Sequence, residues 1–126
     1  MIEPAKTILL VDNDEGFLEA MSTRLEYAGY RCVCARCGGQ GVSLFHEYEP
    51  DAVITDLNMP SGDGVSLAKS IRAQSSTPII VVTGFEDAYQ RELFGILDLE
   101  VVGKPFEFSV LLEILEAELG MASSGL

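Results

Sequence analysis

Five short apolar runs, near residues 7–11, 30–35, 52–56, 78–83 and 99–103, alternate along this chain with segments whose apolar residues recur at helical spacing. No other feature restricts the fold as much. Runs such as Ile79-Ile80-Val81-Val82 are apolar at every position rather than at alternate ones, which suits parallel strands covered by helices on both faces. Parallel strands need crossover connections, and the right-handedness of those crossovers leaves few topologies. The expectation is an α/β fold with a doubly wound, five-stranded parallel sheet and five helices.

The intervening segments predict helices over 14–28, 38–48, 64–74, 86–97 and 107–119. In the first, Phe17, Leu18, Met21, Leu25 and Ala28 form one stripe while Glu15, Glu19, Arg24 and Glu26 face water, and Gly29 supplies a stop. The second opens with Gly38-Gly39 and Gly41, which predicts a short or mobile helix. The third carries Val65, Leu67, Ala68 and Ile71, and the fourth is apolar beyond one core stripe. The last repeats Phe108, Leu111, Leu112, Leu115 and Leu119, after which residues 120–126 read as a frayed tail.

At 126 residues the chain has the size of one domain, 1–126, with a core over about 6–119. Eight Lys plus Arg against 20 Asp plus Glu give a formal net charge of −12, so direct nucleic-acid binding is not expected. No apolar run approaches the roughly 20 residues of a membrane span, and the first residues lack a secretion signal. A cytoplasmic location with no membrane association is the expectation. Cys32, Cys34 and Cys37 have no matching second cluster for zinc. Cys32 and Cys34 fall on one face of a predicted strand and read as small buried hydrophobes.

In an open parallel sheet ligands bind outside the carboxyl ends of the strands. Asp56 ends the third apolar run and precedes the turn-forming stretch Leu57-Asn58-Met59-Pro60-Ser61-Gly62. Asp12-Asn13-Asp14 follow the first run, Thr83 ends the fourth, and Lys104-Pro105 follow the fifth. Acids, a hydroxyl and an amine therefore converge. A carboxylate can attack a phosphoryl group if a divalent cation offsets the repulsion between the two anions, and Mg2+ prefers hard oxygen ligands such as these acids supply.

Taken together, Val11-Asp12-Asn13-Asp14, Asp56 with Asn58-Met59-Pro60, Asp63-Gly64, Thr83-Gly84 and Lys104-Pro105-Phe106 resemble the receiver domain of two-component response regulators, of the chemotaxis-regulator-like type. The likeness runs from Lys6 to about Leu119. It implies a flavodoxin-like sheet in the order 2-1-3-4-5 and a phosphorylation switch rather than an enzyme with an external substrate. Asp56 is then the phospho-acceptor, and Thr83 and Lys104 contact the phosphoryl group. Asp12, Asn13, Asp56 and the backbone carbonyl of Asn58 hold Mg2+. The implied partner is a histidine kinase or histidine phosphotransfer protein. The implied output is the face made by the fourth helix, fifth strand and fifth helix, which also offers a homodimer surface. The Lys104-Pro105 bond is expected to be cis.

The chain departs from the family pattern in several places. Asn13 stands where a second acid usually binds the metal, Val101 where an aromatic rotamer switch is common, and bulky Phe85 follows Thr83 by two residues. Asp14 offers either another metal ligand or the opening residue of the first helix. His46 reads as a surface or partly buried helix residue. The alternative function is a phosphorylation-impaired, receiver-like interaction module. A small aspartyl hydrolase is disfavoured, because Asp56-Leu57-Asn58 lacks a second acid two residues on.

Overall fold

A computed structural model describes residues 4–57, 59, 64–84 and 99–120. Its strands are β1 (Thr7–Val11), β2 (Arg31–Ala35), β3 (Ala52–Thr55), β4 (Ile79–Thr83) and β5 (Glu100–Gly103). Its helices are α1 (Glu15–Tyr27), α2 (Gly38–Tyr48), α3 (Gly64–Arg72) and α4 (Phe108–Leu119). The strands form one parallel sheet in the order β2-β1-β3-β4-β5, as the resemblance implies. The helix expected over 86–97 lies outside the described residues, as do Phe85, Asn58 and Asp63.

Side chains on a strand alternate between faces, and here the alternation divides the core in two. Leu9, Val11, Val53, Ile79 and Val81 pack with Phe45 of α2 and with Val65, Leu67, Ala68 and Ile71 of α3. Ile8, Leu10, Ile54, Ile80, Val82 and Val102 pack instead with Leu18, Met21 and Leu25 of α1 and with Leu111 and Leu115 of α4. Among the described residues a pair of helices packs on each face, which is why the central strands carry apolar residues on both sides. Among the described residues no helix is long and apolar enough to cross a membrane.

Helix α1 starts where the sequence places it, with the Asp14 side chain accepting a hydrogen bond from the Phe17 N–H, and ends just before Gly29. Helix α3 stops at Arg72, two residues short of the predicted end, and the Arg72 guanidinium donates to the carbonyls of Ser75 and Thr77. Helix α2 spans the predicted eleven residues but buries glycine along with Phe45. A β-carbon on Gly41 would lie 3.2 Å from the Val11 side chain and 3.3 Å from that of Leu67. The glycine that looked like a weakness therefore lets α2 sit close to β1 and α3.

None of the three cysteines is in a disulfide bond. Cys32 packs against the α1 side of the core, but Cys34 is exposed. The reading of both as buried therefore holds only in part for Cys32, which is half-buried, and fails for Cys34, because β2 is an edge strand with one neighbour. Burial foremost, then the negative charge of Glu26 and the neighbouring Cys34, push the Cys32 thiol from an ordinary 9.0 up to about 12. Since the fold favours the neutral thiol, this contribution is complete below about pH 9 and is lost as pH rises towards 12. Tyr30, raised by burial and by Glu116, acts in the same direction. The thermal midpoint is expected to fall between pH 9 and 11, and to fall less in Cys32→Ala. Equal slopes by calorimetry would contradict this.

Candidate functional site

Register puts the chemistry in one place. Val11 pairs with Thr55 across β1 and β3, so the next residues, Asp12 and Asp56, leave adjacent strands side by side. The ladder continues one step past each strand, with the Asp12 N–H donating to the Ala35 carbonyl and the Asp56 N–H to the Val11 carbonyl. Thr83 pairs with Gly103, and the Lys104 N–H donates to the Thr83 carbonyl over 2.9 Å. Asp12, Asp56 and Lys104 each follow by two a residue of the core face covered by α1 and α4, namely Leu10, Ile54 and Val102.

Their side chains meet at the mouth of the sheet. Lys104 Nζ donates to Asp12 Oδ2 at 3.1 Å and lies 3.9 Å from Asp56 Oδ2. Asp12 is 2 % exposed, so the ammonium offsets a carboxylate that has almost no water. The other Asp12 oxygen accepts the Asp14 N–H at 2.9 Å. Asp56 is the more open acid, and its Oδ1 accepts the Leu57 N–H at 2.8 Å. The Lys104-Pro105 bond is cis, as expected.

The acceptor loop is clamped from behind. The Thr55 hydroxyl donates to the Asp56 carbonyl, and the Gly64 N–H donates to the Leu57 carbonyl at 3.0 Å. A β-carbon on Gly64 would lie 2.8 Å from Leu57 Cα and closer still to the Asp56 carbonyl oxygen. Only glycine lets the start of α3 approach so near.

Of the residues singled out from the sequence, Asp12, Asp56 and Lys104 are brought into contact, and Thr83 is fully buried beside them at the end of β4. Asn13 follows Asp12 and is exposed; Asp14 is engaged as the α1 cap. Asn58 lies outside the described residues. His46 sits on α2, edge-on to the Phe45 ring. Sequence reasoning did not find Phe17, whose ring lies under the Lys104 ammonium. Its helical spacing marks it only as a core-stripe residue, and no sequence signal separates a stripe position in the first turn from one facing the sheet mouth.

As a cation site the cluster offers oxygen donors on the Asp12 and Asp56 carboxylates, with the exposed Asn13 next to Asp12 in the chain. Among the described residues no group of three His, Cys, Asp or Glu is arranged to hold a metal ion. Two carboxylates nevertheless fit magnesium, which commonly takes one or two and keeps part of its water shell. Asn13, being neutral, adds no negative charge beside that pair.

An open groove of about 480 Å³ begins at Lys104 and runs between α1 and α4, lined by Phe17, Met21, Arg24, Phe106 and Phe108 among others. The Arg24 guanidinium lies 4.8 Å from the Phe108 ring centroid within it.

The family model described as "Response regulator receiver domain" matches residues 8–116. A curated relative, the probable transcriptional regulator ycf27 of Guillardia theta, is 37 % identical over 90 residues, covering 71 % of this chain and 35 % of that protein. The match thus spans about a third of that relative's length. The receiver domain of an HD domain-containing protein from Pseudomonas fluorescens Pf-5 superposes with a TM-score of 0.83 at 29 % identity, covering 95 % of this chain and 90 % of that one. The receiver domain of a sensor histidine kinase from Pseudomonas aeruginosa PAO1, solved with a magnesium ion coordinated in its active-site cleft, gives 0.83 at 29 % identity, covering 92 % and 98 %.

Proposed function

The chain belongs to the response regulator receiver family, and from that premise we propose that Asp56 accepts a phosphoryl group from a phosphohistidine donor on a histidine kinase or phosphotransfer protein. The observation that carries this reading is the meeting of Asp56, Asp12 and Lys104 at the carboxyl ends of three strands.

The Asp56 oxygen facing Lys104 attacks phosphorus as the P–N bond of the donor breaks, and the imidazole leaves with the bonding pair. An acyl phosphate results. Because charge in such a transfer spreads over the equatorial oxygens, the protein contributes mainly by position and electrostatics. Lys104 supplies positive charge within reach of the Asp56 carboxylate, and the Leu57 N–H fixes the carboxylate by its other oxygen. Thr83 then contacts a phosphoryl oxygen, and its movement shifts the population between two packings of the loop after β4 and of the face made by the helix expected over 86–97, β5 and α4. Asp12, Asn13 and Asp56, with the backbone carbonyl of Asn58, would hold magnesium, whose charge offsets the repulsion between acceptor and donor. The related kinase receiver with magnesium in its cleft supports that choice. The groove between α1 and α4, opening on Lys104, supports a docked protein donor.

Mass spectrometry after treatment with acetyl phosphate and Mg2+ tests the proposal directly; a chain that stays unmodified at saturating Mg2+ rejects it. Asn13 favours a second reading, an interaction module that phosphorylates poorly. The two are separated by Asn13→Asp, which is expected to lower the Mg2+ midpoint of labelling several-fold, about 1 kcal/mol of binding. An unchanged midpoint would show that position 13 does not limit the cation.

A further inference from the structure

Among the described residues the Lys104 ammonium meets an aromatic ring as well as two acids. Its Nζ lies 4.4 Å from the centroid of the Phe17 ring, besides being 3.1 Å from Asp12 Oδ2 and 3.9 Å from Asp56 Oδ2. An ammonium over an aromatic face is drawn to the ring quadrupole, and more strongly where water is scarce. The Lys104 side chain is 30 % exposed, so the ring and the two acids provide much of its surroundings.

The ring itself is held. The Phe17 N–H donates to the Asp14 cap in the first turn of α1, and Phe106 meets the ring edge-on at 6.4 Å between centroids and 70° between planes. Phe106 is two residues beyond Lys104, so the loop that delivers the ammonium also braces the surface it rests on. A lysine side chain is a flexible stem bearing a point charge, and here the nearer of its two acids is the buried Asp12 rather than Asp56. A third contact on the ammonium restricts how far it can turn towards either acid.

We propose that Phe17 is a positioning residue for Lys104: its ring face, braced by Phe106, holds the ammonium between Asp12 and Asp56, where an arriving phosphoryl group needs it. The functional half of this inference rests on Asp56 being the acceptor; the contact itself does not. A leucine or methionine at this position would fill similar space without a quadrupole, whereas tyrosine would keep the aromatic face.

The test uses the full chain and the variants Phe17→Leu, Phe17→Met and Phe17→Tyr. Two-dimensional NMR of labelled lysine ε-methylene groups needs no phosphodonor. The Lys104 resonance is expected upfield in the wild type and in Phe17→Tyr, from the ring current, and at ordinary positions in the other two. With acetyl phosphate at saturating Mg2+, Phe17→Leu and Phe17→Met are expected to label about three- to tenfold more slowly, and Phe17→Tyr to return to within about twofold of wild type. The order of labelling rates should not follow the order of thermal midpoints. Wild-type rates in Phe17→Leu, equal slowing in Phe17→Tyr and Phe17→Leu, or an unshifted Lys104 resonance in the wild type would each overturn the proposal. A wild-type chain that shows the upfield resonance but never labels would instead reject Asp56 as acceptor and leave the Phe17–Lys104 contact standing.

Discussion

Asp56→Asn is expected to reduce phosphodonor labelling to background, a loss of about a thousandfold or more, because an amide oxygen is a poor nucleophile and nothing else replaces the attacking atom. The substitution is nearly isosteric. Its side-chain oxygen can still accept the Leu57 N–H, and Lys104 keeps its contact with Asp12, so the thermal midpoint should move little. Intact-mass measurement after acetyl phosphate treatment reads the result, with peptide mapping to locate any residual label. Persistent labelling would move the acceptor elsewhere, and Asp12, the neighbouring carboxylate, would be the first place to look.

Gly64→Ala is expected to have the largest effect on stability. The atoms its β-carbon would meet, the Asp56 carbonyl oxygen and Leu57 Cα, belong to the backbone, so no side chain can swing aside. Overpacking of this kind costs about 1–3 kcal/mol, which corresponds to a fall of about 5–15 °C in thermal midpoint for a chain of this size. The strain is relieved only if α3 moves away from the acceptor loop, breaking the bond from the Gly64 N–H to the Leu57 carbonyl, so labelling at Asp56 should slow as well. Gly39→Ala serves as the comparison, since nothing lies within 4 Å of a β-carbon there and a helical alanine is favoured over glycine. A Gly64→Ala variant as stable as Gly39→Ala would show that the close approach carries no cost.

Much of this arrangement could be read from one sequence because the central strands carry runs of consecutive apolar residues, such as Ile8–Val11 and Ile79–Val82. That pattern identified the parallel sheet, and the residue after each apolar run identified its mouth, where Asp12, Asp56 and Lys104 come together. What the sequence did not reveal depends on distances between elements remote along the chain. Gly41 reads as a helix-weakening residue until Val11 and Leu67 are seen beside it. Phe17 reads as one more apolar stripe position until the lysine from the far end of the chain arrives over its ring. Cys34 reads as buried with Cys32 because periodicity gives a shared face but not whether a helix covers that face all along an edge strand. Asp14 could be either cap or ligand from its position alone, and the hydrogen bond to the Phe17 N–H places it at the cap.

The two-residue offset that joins Leu10 to Asp12, Ile54 to Asp56 and Val102 to Lys104 turns the sheet into a gauge for the chemistry at its rim. Deleting or inserting one residue inside β1, β3 or β5, with the core side chains kept in place, would rotate the corresponding acid or amine to the opposite side of the sheet, away from its two companions. Tolerance for length changes should therefore end abruptly at strand boundaries. Lengthening the connection ahead of Leu99 leaves the pairing of Thr83 with Gly103 intact, whereas a single added residue between Leu99 and Lys104 would undo the cluster.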